Sequence, residues 1–575
     1  MINVDLRKQP YNLDDEGVKW VEETIKSMTL EEKIGQLFIN MGASRDEEYL
    51  KGVLDNYHIG GVRYNPGKAE EVYEQNKILQ ENSKIPLLIA ANTEMGGNGA
   101  CTDGTYIGNE VKIAATNDKR YAYEMGRVSG VEAAAIGCNW SFAPIVDINR
   151  NWRNPIISTR TWSADVEQTL ELSLEYMKGI MESGIAPAAK HFPGDGIDER
   201  DQHLSFAPNS LSVEEWDATF GRVYSGLFEA GLPSIMAGHI ALPEYVKYFN
   251  PEATTQEIYM PATLSKYVLT DLLRGKMKFN GLVVTDASHM VAMTSAMKRS
   301  EMLPTAIAAG SDLFLFFNDP DEDFEWMMEG YKNGIITDER LEEALTRILG
   351  TKAALGLHKK AKTEILPEKE VAMAKIGLEE NKAIAKEVSD KAITLVKNTK
   401  NQLPLTPQTH KRIMLYTVEQ AGFAPNKVEA DRLNQRVKAK LEAQGFEVTL
   451  FDPAAGLNGK QLLAATPIKE FVDQFDAVML FVHVAGFSQS NVRRITWAMP
   501  MGPDIPWYVT ELPTVCVSVF NPFHLIDVPM VPTYINAYSD NDATLDLVIE
   551  KIMGKSEFKG VSSVDAFCGA WDTRL

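Results

Sequence analysis

The sequence predicts an α/β protein, an N-terminal TIM-type (β/α)8 barrel followed by a C-terminal α/β sandwich domain. Three observations predict it. Short apolar runs alternate with amphipathic stretches through the first 355 or so residues. Strands and helices alternating over more than about 250 residues fit a closed parallel sheet better than a small open one. Polar residues collect where these runs end: Asn92, Asp147, Lys190 with His191, His239 and Asp286. In a barrel that end is the site-bearing rim. Finally, the same alternation restarts near residue 391, after a charged and alanine-rich stretch.

In chain order, strands are predicted at "IGGVRYN" (59–65), "PLLIAAN" (86–92), "NWSFAPIVD" (139–147), "IAPAAKH" (185–191), "LPSIMAGHI" (232–240), "GLVVTDA" (281–287) and "SDLFLFF" (311–317). Helices are predicted between them, at 118–137 and 165–184. In the latter, Leu170, Leu174, Met177 and Met181 repeat at i, i+4, i+7 and i+11, which is one helix face. A Leu- and Ala-rich helix over 340–357 closes the barrel domain, placed at 1–358. Residues 359–390 read as a linker passing into a helix, and 391–575 as the second domain. Its strands are predicted at 392–398, 412–418, 446–452, 477–484, 514–520 and 533–539, with a helix in "EADRLNQRVKAKLEAQG".

A chain of 575 residues is too long for one ordinary core. Its net charge of −21, with no long basic block, argues against nucleic acid or an anionic membrane surface as partner. No apolar run reaches membrane-spanning length, and the first twenty residues have no apolar leader core. The expected location is therefore cytoplasmic, or secreted if a leader has been removed. Four widely spaced cysteines form no disulfide framework or zinc motif. No metal and no cofactor are expected.

The densest chemistry lies in "AAKHFPGDGIDERDQHLS" (188–205). Lys190 and His191 end a strand, Pro193, Gly194 and Gly196 make an irregular turn with hinge character, and Asp201 and His203 follow at i, i+2. On an extended loop this last pair shares a face. A carboxylate on one imidazole nitrogen orients the ring, raises its basicity and leaves the other nitrogen for proton transfer. Asp286 ends the apolar run Leu282–Val284, where a carboxylate is costly unless hydrogen-bonded or functional. Capping of the following helix is its structural alternative.

These residues resemble glycoside hydrolase family 3, and within it the β-N-acetylglucosaminidase branch in its two-domain form. That branch carries K-H-F-P-G-H-G followed, four residues on, by D-S-H. Here "KHFPGDG", "IDER" and "DQH" keep the spacing. "SMTLEEKIGQLF" (27–38) is similar to the family's opening helix and "IGGV" (59–62) to its early strand. "FAPIVDINRNWRNPIISTRTW" is similar to its F-A-P-V-x-D segment, "GLVVTDASHM" to its nucleophile segment, and "AITLVKNTKNQLPL" (392–405) to the start of its second domain. The resemblance implies Asp286 as nucleophile, His203 as general acid/base and Asp201 as its carboxylate. It further implies Lys190, His191 and Arg160 as binders of sugar hydroxyls, with His239 as a further pocket histidine. Two positions depart from the pattern. Asn92, in "AANTEMGG", stands where the family has an Asp that grips the sugar, and Asp195 stands where it has a second histidine. Asn92 loses a charge-assisted hydrogen bond. Asp195 either raises the basicity of His203 or holds the turn through an Asx-type bond, the role preferred here.

The implied activity is a retaining, exo-acting β-N-acetylhexosaminidase of carbohydrate metabolism. It would release nonreducing-end β-linked N-acetylglucosamine from small oligosaccharides, either chitin-derived or of the muropeptide type handled in cell wall recycling. The alternatives are a phosphorylase using the same intermediate, a β-glucosidase, and a sugar-binding homologue without turnover. The sequence leaves the oligomeric state and the role of the second domain open.

Overall fold

The structure is a computed structural model that describes residues 4–420, 431–452, 467–484, 488–489, 491–497 and 504–575. The chain forms two compact units. One comprises Met1–Ile107, Lys119–Asn151 and Asp165–Lys382; the other comprises Gly108–Asp118, Trp152–Ala164 and Ala383–Leu575.

The strands of the first unit are β1 (Phe38–Met41), β2 (Gly61–Arg63), β3 (Leu88–Ala91), β4 (Trp140–Ser141), β5 (Ala186–Phe192), β6 (Ala207–Pro208), β7 (Ser234–Ala237), β8 (Ile240–Ala241), β9 (Leu282–Ala287) and β10 (Leu313–Leu315). Eight of them close a parallel barrel in the order β1-β10-β9-β7-β5-β4-β3-β2, and β6 pairs with β8. The expected TIM-type barrel is therefore present. Its strands carry almost no polar alternation because helices cover the sheet and side chains fill the barrel; β5 is buried at all seven positions.

Each strand predicted in the first region overlaps a barrel strand, but β1 was not predicted. Residues 27–38 were expected to form an opening helix. That helix runs only from Leu30 to Gly35, started by a capping box in which Thr29 and Glu32 exchange hydrogen bonds. The predicted strand 139–147 is regular only at Trp140–Ser141, and Pro144 has no N–H for the ladder. The segment still runs beside β5: Lys190 N–H donates to Pro144 O (3.1 Å) and Val146 N–H to Lys190 O (2.8 Å). This delivers Asp147 to the rim.

The second unit is built on a six-stranded sheet of β11 (Thr394–Asn398), β12 (Arg412–Gln420), β13 (Glu447–Leu450), β14 (Ala477–Val484), β15 (Thr514–Ser518) and β16 (Thr533–Asn536), in the order β11-β16-β15-β14-β12-β13. Only β11 runs antiparallel to its neighbour. Alternate residues feed two cores, as the two-residue period requires: Met479 and Phe481 of β14 enter one, Val478, Leu480 and Val482 the other. Leu433–Ala443 forms the helix expected at 429–445, of which 429–430 lie outside the described residues. The outlying segments are tied in by their own contacts. Val111 and Ala115 pack with Ala392, Phe523, Tyr538 and Val564, and Ala164 N–H donates to Ser563 O. No helix among the described residues is long and apolar enough to cross a membrane.

Candidate active site

Asp286 stands at the C-terminal end of β9, where buried Leu282, Val283 and Val284 give way to the rim. Its side chain is 13% exposed. Oδ1 accepts from Ala287 N–H at 2.7 Å, and Oδ2 lies 3.9 Å from His191 Nε2. Burial works against ionisation here. The charge that His191, His239 and His203 carry when protonated, with the Ala287 N–H, outweighs it and holds the carboxyl below the usual aspartate value. Asp286 is thus an anion at neutral pH with one oxygen beyond hydrogen-bonding distance of the nearest imidazole.

Lys190 and His191 end β5, both buried, and each meets a carboxylate from another strand end. Lys190 Nζ donates to Glu94 Oε1 at 2.5 Å. His191 Nδ1 bonds Asp147 Oδ2 at 2.7 Å, which turns Nε2 toward Asp286. A carboxylate can only accept, so Asp147 fixes the tautomer as Nδ1–H.

The turn after β5 is buried from Pro193 to Gly196 and hydrogen-bonded along its length. Trp216 Nε1 donates to Pro193 O (2.8 Å), Asn209 Nδ2 to Gly194 O (3.0 Å) and Asp195 N–H to Asp147 Oδ1 (2.7 Å). Gly194 and Gly196 take φ of +116° and +111°, which glycine adopts readily. Asp195 Oδ1 accepts from Gly196 N–H at 2.7 Å and Oδ2 from Gln202 at 3.2 Å, so this residue shapes the turn. Arg200 makes a two-pronged pair with Asp198 inside the loop. Asp201 Oδ1 then accepts both the backbone N–H and Nδ1 of His203, at 2.7 and 2.8 Å. The Asp201 side chain is fully buried and His203 is 22% exposed, leaving its Nε2 as the basic nitrogen.

His239 follows β7. Its Nε2 faces Ala287 O at 2.9 Å and its Nδ1 faces Thr263 Oγ1 at 2.8 Å. The carbonyl only accepts, so Nε2 carries a proton; burial lowers the pKa of the ring. Asn92 follows β3 with its Oδ1 buried and without a hydrogen-bond partner. Lys190, His191, Asp201, His203, His239 and Asp286 therefore gather at one end of the barrel, whereas Arg160 lies in Trp152–Ala164, a segment of the second unit. Among the described residues, no group of three or more His, Cys, Asp or Glu could hold a metal.

Residues 29–351 match the Glycosyl hydrolase family 3 N terminal domain. A relative from Cellulomonas fimi, named beta-N-acetylglucosaminidase/beta-glucosidase, is 41% identical over 573 residues and covers all of both chains. The chain belongs to glycosyl hydrolase family 3. A solved beta-glucoside phosphorylase has 39% identity, full coverage of both chains and a TM-score of 0.91. A beta-hexosaminidase A from Pseudoalteromonas piscicida is 28% identical over 399 residues, 65% of each chain. A solved family 3 beta-N-acetylglucosaminidase from Paenibacillus sp. str. FPU-7, 22% identical with a TM-score of 0.75, shares the fold over 94% of this chain and 99% of its own. This family 3 enzyme is a glycoside hydrolase by that membership.

Sequence reasoning passed over Glu94, Gln202 and, as a site residue, Asp147. Asp147 was marked as polar at a strand end, and that was its only signal. Glu94 sits in a glycine-rich stretch, and nothing local pairs it with Lys190, 96 residues away.

Proposed function

We propose that the enzyme cleaves nonreducing-end β-linked N-acetylglucosamine, and also β-linked glucose, with retention of configuration. Asp286 attacks the anomeric carbon, its carboxylate oxygen forming the ester bond as the glycosidic bond breaks. His203, protonated on Nε2, gives that proton to the leaving oxygen. The acceptor then donates a proton back to Nε2 as it displaces Asp286. Lys190, His191, Asn92 and His239 would bind the sugar, an oligosaccharide of chitin or muropeptide type. The observation that carries this reading is one carboxylate held ionised among three imidazoles, of which His203, on Asp201 at 2.8 Å, is the more exposed of the two that pair with an aspartate. Broad sugar choice is supported by Asn92, an uncharged group at the end of β3, and by the double name of the Cellulomonas fimi relative.

A second reading keeps the intermediate and changes the acceptor to phosphate. An imidazole repels an incoming anion less than a carboxylate would, and the full-length likeness to a beta-glucoside phosphorylase points the same way. Aryl β-N-acetylglucosaminides and β-glucosides assayed with and without phosphate test both. Aryl release with free sugar, unchanged by phosphate, is expected of the hydrolase. Faster release with sugar 1-phosphate as product assigns phosphorolysis. No release from either glycoside would overturn both in favour of a sugar-binding protein.

A further inference from the structure

We propose that Asp195 and Gln202 form a hydrogen-bonded latch that fixes the Asp201–His203 dyad beside Asp286, both acting as positioning residues. The proposal rests on the proton-transfer reading of the dyad given above. Gln202 lies between the two dyad residues and is fully buried, unlike the exposed Glu199 and Arg200 that precede it. Its Nε2 donates to Asp195 Oδ2 at 3.2 Å, and its Oε1 accepts from His239 N–H at 2.7 Å. Asp195 in turn is held by Asp147, the partner of His191. The backbone closes the same loop onto the segment after Asp286: Ala292 N–H donates to Gln202 O (3.2 Å) and Val291 N–H to His203 O (3.1 Å). One chain of hydrogen bonds thus runs from the end of the β4 segment through the β5 turn and the dyad loop to His239, two residues beyond β7.

Every donor in this chain meets an acceptor in one direction only. Asp195 must accept twice, from Gly196 N–H and from Gln202. Gln202 must accept at Oε1, because the His239 N–H can only donate. An asparagine at 195 would turn an amide NH2 toward the Gln202 NH2. Rotating Gln202 would only move the clash to the His239 N–H. A glutamate at 202 would set two carboxylates against each other. Both changes together restore every pairing. The amide introduced at position 195 donates to the carboxylate introduced at position 202, whose other oxygen accepts from His239, and the net charge is that of the native chain.

The test is a cycle of Asp195→Asn, Gln202→Glu and the double variant. It is read as kcat/KM on phenyl and 2,4-dinitrophenyl β-glycosides, with melting temperature measured alongside. A displaced acid costs most where the leaving group needs its proton. Each single variant should lose about 100-fold on the phenyl glycoside and under about 5-fold on the dinitrophenyl one. The double variant should recover to within about 5-fold on both. Gln202→Met, which removes both side-chain bonds at similar volume, should show the same split and covers the case in which a charged single variant does not fold. Equal slowing on both substrates, or a double variant no better than the singles, overturns the latch. His203→Ala is the control. If it shows no split between leaving groups, the dyad reading itself fails and takes the latch with it; if it shows the split and the latch variants do not, only the latch fails.

Discussion

Where the barrel strands begin, Asp312 is buried among three arginines; where they end, Asp286 is ringed by three histidines. Asp312 Oδ2 accepts from Arg274 Nη2 and from Val283 N–H, both at 2.9 Å. Its Oδ1 accepts from Arg340 Nη2 at 2.6 Å and lies 3.5 Å from Arg347 Nη1. Asp286 has one short hydrogen bond, from the adjacent Ala287 N–H, and meets His191 only at 3.9 Å. Burial opposes the charge at both sites; three guanidinium groups overcome it at Asp312, and the surrounding histidines, when protonated, with the Ala287 N–H at Asp286, so both carboxyls titrate below the usual range. The difference lies in what remains free. Asp312 has spent its lone pairs on guanidinium groups and backbone, which ties the helices Tyr267–Lys276 and Asp338–Ala354 to the sheet. Asp286 keeps an oxygen uncommitted, held ionised through space. A buried carboxylate of the first kind stabilises, and one of the second kind is available to react.

Exchanging each aspartate for asparagine breaks the comparison most sharply. Asp286→Asn should cut turnover by about a thousandfold or more while leaving the melting temperature nearly unchanged. Asp312→Asn should do the reverse. It strips Arg274 of its counter-charge and leaves Arg340 and Arg347 to Glu343 alone, at a cost of about 3–5 kcal/mol, and the fraction that stays folded should keep its kcat. Chemical denaturation and activity measured on the same preparations check both; an Asp286→Asn enzyme with near-native turnover would remove the contrast.

A smaller effect sharpens the picture at the stabilising end. Lys352 is fully buried, its Nζ donating to Gln36 Oε1 at 2.7 Å, and burial brings its pKa down to about 7. The unfolded chain holds that proton up to about pH 10.4. Between these values the unfolded state binds more protons than the folded one, so stability rises with pH. Lys352→Met should flatten the rise between about pH 7 and 10 in denaturation curves. Lys112 in the second unit, also brought to about 7 by burial, would keep its own share. An unchanged slope in Lys352→Met would mean that Lys352 is charged in the folded state.

How far the sequence could be read follows from the range of each interaction. The barrel was legible because apolar runs and amphipathic helices alternate locally, and the rim was legible because polar residues end those runs. Strand β1 was hidden because Phe38–Met41 continues the apolar run of a short helix and offers too few residues for a period of its own. The Asp201–His203 pair lies within three positions, and local spacing found it. Gln202, the uncharged residue between them, gives no such sign, because its partner is a backbone N–H 37 positions away. Asp195 stayed open for the same reason: Asx-type geometry was foreseeable, its bond to Gln202 was not. For Arg160, a motif gives order along the chain, whereas membership of the second unit depends on contacts far outside it.

The central claim, that Asp286 carries the sugar, is tested most directly by trapping. The enzyme is incubated with a 2,4-dinitrophenyl 2-deoxy-2-fluoro-β-glucoside, whose fluorine slows breakdown of the intermediate, then digested and analysed by mass spectrometry. The peptide containing Asp286 should gain the mass of one fluorosugar, and Asp286→Asn should gain none. A protein that turns over the parent glycoside yet shows no adduct, or shows it on another carboxylate, would contradict the account.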